Sequence, residues 1–117
     1  MSESAELLTT VNYIKNKVDA LEKIEMLNLR SNKELRDEYI SLLRGDIMLQ
    51  KVYRAIDGIK AQKDIAESVG TSEKTVSLKV KELSEYGLIE IKSVSKNGKR
   101  IYKHSVAEQA FKLTRML

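Results

Sequence analysis

Two short helical patterns lie only three residues apart in the middle of the chain, and this spacing restricts the fold more than any other feature. Each has an apolar face at helical intervals. The residues of these faces are Ile65, Ala66 and Val69 in the first pattern and Val76, Val80 and Leu83 in the second. Between them, Gly70 is suited to ending a helix, and Thr71 or Ser72 to capping the next, with Glu73 complementing its dipole. The sequence therefore predicts the tight turn of a helix-turn-helix.

A further helical pattern comes before this pair. Its apolar face follows Asp46, a good helix cap, and consists of Leu49, Val52, Tyr53 and Ile56. We expect each of the three helices to end at a glycine that adopts the left-handed conformation. These glycines are Gly58, Gly70 and Gly87.

A β-hairpin is predicted after Gly87, because Asn97-Gly98 separates two β-prone runs, residues 88–94 and 100–104. A two-residue type I′ turn is expected there, since its two central residues need positive φ. This turn would pair Lys96 with Lys99 and Val94 with Ile101. One face of the hairpin would then carry Ile91, Ser93, Tyr102 and His104. A last helix is expected from about Val106 to the end of the chain, with an apolar face of Val106, Ala110, Leu113 and Leu117.

Near the N-terminus, apolar residues recur at steps of four and three and form a narrow stripe typical of a short coiled-coil seam. They are Leu7, Val11, Ile14, Val18 and Leu21. The register breaks after Leu21, and a second helix is expected from about Ser31 to Gly45. These helices either fold back on their own domain or pair with a second chain, and the narrow stripe favours dimerisation. We therefore divide the chain into a helical dimerisation segment, 1–45, and a second domain, 46–117.

Composition excludes several classes of protein. The 117 residues include no cysteine and a single histidine, His104, so disulfides, thiolate metal sites and histidine-dependent catalytic triads are not expected. We expect no enzyme activity, no cofactor and no bound metal. No apolar stretch approaches the ~20 residues that span a bilayer, and residues 1–10 show no signal pattern. The expected location is the cytoplasm, without membrane attachment.

Basic residues are concentrated in the second domain. Lys and Arg number 7 against 9 Asp and Glu up to Asp46, and 14 against 8 from Ile47 onward. No acidic residue interrupts the stretch 92–103, which contains five of these cations. Because surface charges of both signs are usually interspersed, this stretch indicates a surface that faces a polyanion.

The predicted order of three helices, a hairpin and a helix resembles the winged helix-turn-helix domains of bacterial and archaeal transcriptional regulators of the ArsR and MarR kind. The residues that carry the resemblance are Lys63-Asp64-Ile65-Ala66, Thr75-Val76-Ser77, Lys81-Glu82-Leu83, Gly87-Leu88-Ile89 and Gly98-Lys99-Arg100-Ile101-Tyr102. It covers residues 47–105, about half the chain, and implies a mainly α fold with a small β-hairpin wing, preceded by the N-terminal helices. The cysteine or histidine cluster of metal or oxidant sensors is absent.

In such a domain the third helix lies in the major groove of double-stranded DNA. The residues that face away from its apolar stripe are then the candidate contacts: Lys74 and Ser77 for base edges, Leu78 for a thymine methyl, and Lys81 for the backbone. This set also includes Ser72 and Thr75, at the start of the same helix, and Lys63, at the start of the preceding helix. At the hairpin tip, Lys96, Lys99 and Arg100 are expected to meet phosphates or enter the minor groove. Glu82 and Glu85 should face away from the duplex.

Three functions agree with these patterns. The first is a homodimeric, sequence-specific DNA-binding transcriptional regulator, the second a protein-interaction module of a larger assembly, and the third a protein that coats DNA without reading it. A lone histidine on a hairpin strand is more often a packing residue than a pH-sensitive hinge, so we expect His104 to be a hydrogen-bonded packing residue. Tyr39, Tyr53, Tyr86 and Tyr102 are likewise expected in the core.

Overall fold

The computed structural model describes the backbone of residues 3–117 and the side chains from Thr10 onward. This part of the chain is mainly helical, with one two-stranded antiparallel sheet. The elements are α1 (Glu3–Arg30), α2 (Lys33–Gly45), α3 (Ile47–Ala55), α4 (Gln62–Val69), α5 (Glu73–Glu85), β1 (Ile89–Val94), β2 (Arg100–His104), α6 (Val106–Phe111) and α7 (Leu113–Met116). None of the described helices has both the length and the apolar character needed to cross a membrane.

Side-chain caps fix the starts of three helices where the sequence predicts them. The carboxamide of Asn32 accepts a hydrogen bond from the backbone N–H of Leu35 at 3.1 Å. The carboxylate of Asp46 accepts from Leu49 at 3.0 Å. Ser72 Oγ accepts from the backbone N–H of Thr75 at 3.1 Å. Each bond satisfies an N–H group that has no partner inside the helix, so these helix starts are determined locally.

The glycines end the helices only in part as predicted. Gly70 is the left-handed C-cap of α4, with φ of 74°. Gly87 follows Tyr86, the C-cap of α5, and also has positive φ. The prediction for Gly58 is wrong, because α3 already ends at Ala55 and Gly58 lies in the following turn. There the carboxylate of Asp57 accepts hydrogen bonds from the N–H groups of the next turn residues, so the chain leaves the helix early.

One apolar core joins α2 to the elements that follow it. Tyr53, Val76, Leu83 and Leu88 lie at its centre with no exposed surface. The other buried apolar residues are Ile40, Leu43, Leu49, Val52, Ile56, Ile65, Ala66, Val80, Ile89, Tyr102, Ala107, Phe111 and Leu113. The helix α2 thus packs with the second domain, although the sequence groups it with the N-terminal segment.

The hairpin forms, but its turn and register differ from the prediction. Ser95 N–H donates to the carbonyl of Lys99 at 2.8 Å, so the loop has three residues and ends in left-handed Gly98. Asn97 has no positive φ, and the predicted type I′ turn is therefore wrong. Val94 pairs with Arg100 instead of Ile101.

A second irregularity lies within β1. The register shifts between Ile91 and Ser93, so Ile91 pairs with Tyr102 and Ser93 with Ile101. Lys92 is the extra residue of this bulge. The bulge moves Ser93 off the face that Ile91 shares with Tyr102, because one added residue reverses side-chain alternation.

The predicted C-terminal helix is interrupted. Lys112 adopts a left-handed conformation with φ of 54° and separates α6 from α7. Glu108 explains the break, since its carboxylate accepts a hydrogen bond from the backbone N–H of Thr114 at 3.0 Å and so caps the second piece. Of the predicted apolar face, Leu113 is buried, and Val106, Ala110 and Leu117 are partly buried. Ala107 and Phe111, outside that face, are buried as well.

His104 is a hydrogen-bonded packing residue, as predicted. Its Nε2 lies 2.7 Å from the carbonyl oxygen of Tyr53, and the two rings are 4.4 Å apart. Among the tyrosines, Tyr53 and Tyr102 are buried and Tyr39 is half-buried. The prediction for Tyr86 is wrong, because its side chain is 45% exposed.

Candidate nucleic-acid interface

An open groove lies between α5, the first residues of α4 and the hairpin tip, with a volume of about 540 Å³. It brings together six of the ten residues predicted to contact DNA. These six are Lys63, Ser77, Leu78, Lys81, Lys99 and Arg100. They come from three separate parts of the chain, and the fold places them on one surface.

The groove is strongly basic. Lys63, Lys81, Lys99 and Arg100 are all exposed, and within residues 10–117 none of them forms an ion pair. Glu73 is the sole acidic residue among the described side chains that line the groove. Four unpaired cations around one concave surface create a positive potential that attracts a polyanion.

The helix α5 presents two distinct sides. Val76, Val80 and Leu83 are buried, as predicted, and fix the rotation of the helix. Leu78 then points outward and is 56% exposed, so a large apolar side chain lies in a basic, hydrated surface. Such a residue is available for apolar contact with a ligand.

Glu82 and Glu85, unlike Glu73 at the start of α5, lie away from the groove. Lys79 Nζ lies 2.8 Å from Asp46 Oδ2 and 3.8 Å from Glu82 Oε2, on the side of α5 that faces α3. This contact lowers the pKa of Asp46, chiefly through the hydrogen bond from Lys79, and raises the pKa of Lys79. Neither Glu82 nor Glu85 lines the groove, in agreement with the predicted orientation.

Four predicted contact residues lie outside the groove wall. Ser72 and Thr75 bond to each other through their hydroxyl oxygens at 2.9 Å, and Ser72 also caps the helix. Their first role is therefore to fix the start of α5. Lys74 and Lys96 are exposed beside the groove without lining it.

The groove also contains residues that the sequence analysis missed. Gln62, Ser84 and Tyr102 line it together with Glu73. Ser84 follows Ser77 and Lys81 at helical steps, so a search for the whole polar face of α5 would have found it. Gln62 precedes Lys63 at the first position of α4, but only the tertiary structure brings this position opposite the hairpin tip.

The hairpin is anchored to the loop between α3 and α4. Lys92, the bulged residue, donates to the carbonyl oxygen of Gly58 at 3.0 Å. The Gly58 N–H in turn donates to the carbonyl of Tyr102 at 3.0 Å. These two bonds hold the base of the hairpin, and the basic tip projects from a fixed support.

The predicted dimerisation stripe lies on the surface of α1. Val11, Ile14, Val18 and Leu21 are 53%, 55%, 46% and 59% exposed. Leu7, the fifth predicted residue, lies outside the described side chains. Contiguous exposed apolar surface of this kind is typical of a site of contact with another molecule.

Comparisons of the chain with protein-family models, curated proteins and solved structures gave no match.

Proposed function

We propose that this protein is a winged helix-turn-helix transcriptional regulator that binds specific double-stranded DNA sequences as a homodimer. The observation that supports it best is the basic groove, in which an exposed helix face, the start of α4 and a basic hairpin tip converge. In this proposal α4 and α5 are the helix-turn-helix, and the hairpin of β1 and β2 is the wing.

In the bound state α5 lies in the major groove. Ser77 offers a hydroxyl to base edges, and Leu78 offers an apolar surface to a thymine methyl. Lys81 and Lys63 contact the phosphates that border the major groove. Lys99 and Arg100 contact the next stretch of backbone or enter the minor groove, which adds affinity with little sequence preference.

The dimer is supported by the exposed stripe on α1. A second copy would cover Val11, Ile14, Val18 and Leu21 and remove apolar surface from water. Two recognition helices related by a twofold axis then read an inverted repeat, with half-sites about one helical turn apart.

The decisive experiment is selection of binding sites from random duplex DNA, combined with measurement of the protein's mass in the same buffer. Enrichment of an inverted repeat by a dimer is the expected result. Uniform affinity across sequences would favour a DNA-coating protein. Negligible binding at physiological salt would favour a protein-interaction module and overturn the proposal.

A triple variant tests the groove directly. K96A/K99A/R100A is expected to remain folded and to lose DNA binding, since these exposed side chains make no ion pair with residues 10–117. The matched control is K33A/K51A/R54A, which removes the same charges from exposed positions on α2 and α3. Equal affinities of the two variants would show that the wing does not contact DNA.

A further inference from the structure

A second open cleft, about 590 Å³ in volume, lies between α2 and the end of α5 and shares no lining residue with the basic groove. Small-molecule sites usually measure roughly 300 to 1,000 Å³ and are mainly apolar with a few polar groups. This cleft has the same composition, since Tyr39, Leu42 and Tyr86 are its large side chains and Glu38 and Asp46 its charged ones. Its size and lining therefore suit a small organic molecule.

Two tyrosines take part in this cleft. The hydroxyl of Tyr39, which is half-buried, donates a hydrogen bond to the backbone carbonyl oxygen of Tyr86 at 2.8 Å and so connects α2 to the end of α5. The side chain of Tyr86 is itself 45% exposed. The face of an aromatic ring carries partial negative charge and attracts a cation. Two such rings favour a positively charged ligand.

Both charged residues of the cleft are acidic. Glu38 forms no ion pair with any described side chain, whereas Asp46 already accepts a hydrogen bond from Lys79 at 2.8 Å. Burial raises the pKa of Tyr39, and the Glu38 carboxylate raises it further, so the phenol beside that charge stays neutral at physiological pH. No Lys or Arg is among the described residues that line the cleft. The cleft and the basic groove thus have opposite charge.

We propose that this cleft binds a small organic cation, an ammonium group on an apolar or aromatic body. The body lies against Leu42 and the two tyrosine rings, and the ammonium meets the free carboxylate of Glu38. Charge complementarity selects this class of ligand, because Glu38 repels an anion and a neutral molecule gains only the apolar contacts. Binding here goes beyond the proposed function and does not depend on DNA.

The test is an NMR titration of the whole protein with benzyltrimethylammonium and, separately, with neopentylbenzene. The two probes have the same shape, but a carbon replaces the charged nitrogen in the second. The cation should bind at least about tenfold more tightly, and its chemical-shift changes should centre on Tyr39, Leu42 and Tyr86. Equal affinities of the two probes, or shift changes centred elsewhere, would overturn the inference.

A substitution of the free carboxylate tests its role. E38Q keeps the size of the side chain and removes its charge, so it should weaken binding of the cation roughly two- to fivefold and leave neopentylbenzene unaffected. The control E34Q removes the same charge from an exposed position on α2 outside the cleft. If E38Q and E34Q bind the cation equally well, Glu38 does not hold it and the inference is wrong.

A second pair tests the aromatic wall. Y86A should weaken binding of both probes, whereas Y13A, at a position on α1 that is 64% exposed, should weaken neither. Circular dichroism checks that Y86A keeps its helices, and if it does not, the E38Q and E34Q pair decides.

The outcome is separable from that of the proposed function. If the protein selects a DNA sequence but binds neither probe, only the ligand site is wrong. If it binds the cation in this cleft but binds no DNA, the proposed function is wrong and the ligand site stands.

Discussion

Asp46 and Lys79 join the start of α3 to the middle of α5 through a contact of 2.8 Å between Oδ2 and Nζ. The other oxygen of the same carboxylate caps α3 through the N–H of Leu49. The Asp46 side chain therefore caps α3 and also helps to fix the rotation of α5, the proposed recognition helix. Lys79 points away from the groove.

Substitutions of Asp46 separate these two roles. D46A should lower the free energy of unfolding by about 1 kcal/mol, the usual value of a lost cap. D46N should cost only a few tenths of a kcal/mol, because asparagine caps equally well and a partly exposed ion pair contributes little. Urea denaturation at neutral pH measures both, and equal losses would show that the cap is not the larger effect.

The same carboxylate predicts a dependence on pH. Its pKa is lower in the folded protein, so the stabilisation is present above the ordinary value near 4 and is lost as pH falls through the lowered pKa. The difference in stability between the unchanged protein and D46N should therefore shrink below about pH 4. A difference that grows in acid would contradict the assignment.

Tyr53 should ionise at a higher pH than an ordinary tyrosine. Burial raises its pKa first, and the neighbouring Glu108 carboxylate, to which its hydroxyl donates at 3.0 Å, raises it further. The folded state binds this proton more tightly, so the free energy of unfolding should fall as pH rises above the ordinary tyrosine value near 10. Absorbance titration should show a late-ionising component that Y53F removes and Y86F, at an exposed position, does not.

Gly58 and Gly70 form a matched pair for backbone strain. Both have positive φ, at 78° and 74°, so alanine at either should cost about 1–2 kcal/mol of stability. A Cβ at Gly58 would also lie 3.3 Å from Lys92 Cδ and Nζ, whereas nothing lies within 4 Å of one at Gly70. G58A should therefore lose more stability than G70A in urea denaturation. K92A removes the crowding side chain, so in a K92A background G58A and G70A should lose similar amounts of stability.

Salt dependence should distinguish the residues of the groove. Each phosphate contact that is removed lowers the slope of log K against log salt by about 1. K99A/R100A removes two such contacts from each subunit of the proposed dimer, so it should reduce the slope by about 4 and leave the selected DNA sequence unchanged. L78A should leave the slope unchanged and relax the preference at one base pair, which fluorescence anisotropy on variant duplexes can measure. A changed slope for L78A would place that residue away from the base edges.

Much of the local structure follows from the sequence alone. Asn32, Asp46 and Ser72 start their helices through their own side chains, and Gly70 ends α4, because caps depend on residues only a few positions apart. The burial of Val76, Val80 and Leu83 follows from their spacing, which also predicts the exposure of Leu78. The basic hairpin tip is visible as an uninterrupted run of cations.

Tertiary structure decided the features that depend on distant partners. Lys92, the bulged residue of β1, donates a hydrogen bond to the Gly58 carbonyl. The helix breaks at Lys112, where the Glu108 carboxylate caps the next helical piece. No pattern of neighbouring residues predicts either contact. The helix α1 packs on α6 and its Leu29 reaches the core, contacts that the heptad pattern did not predict. Similarly, Gln62 and Glu73 reach the groove only because α4, α5 and the hairpin pack around one core, whose geometry is set by many long-range contacts at once.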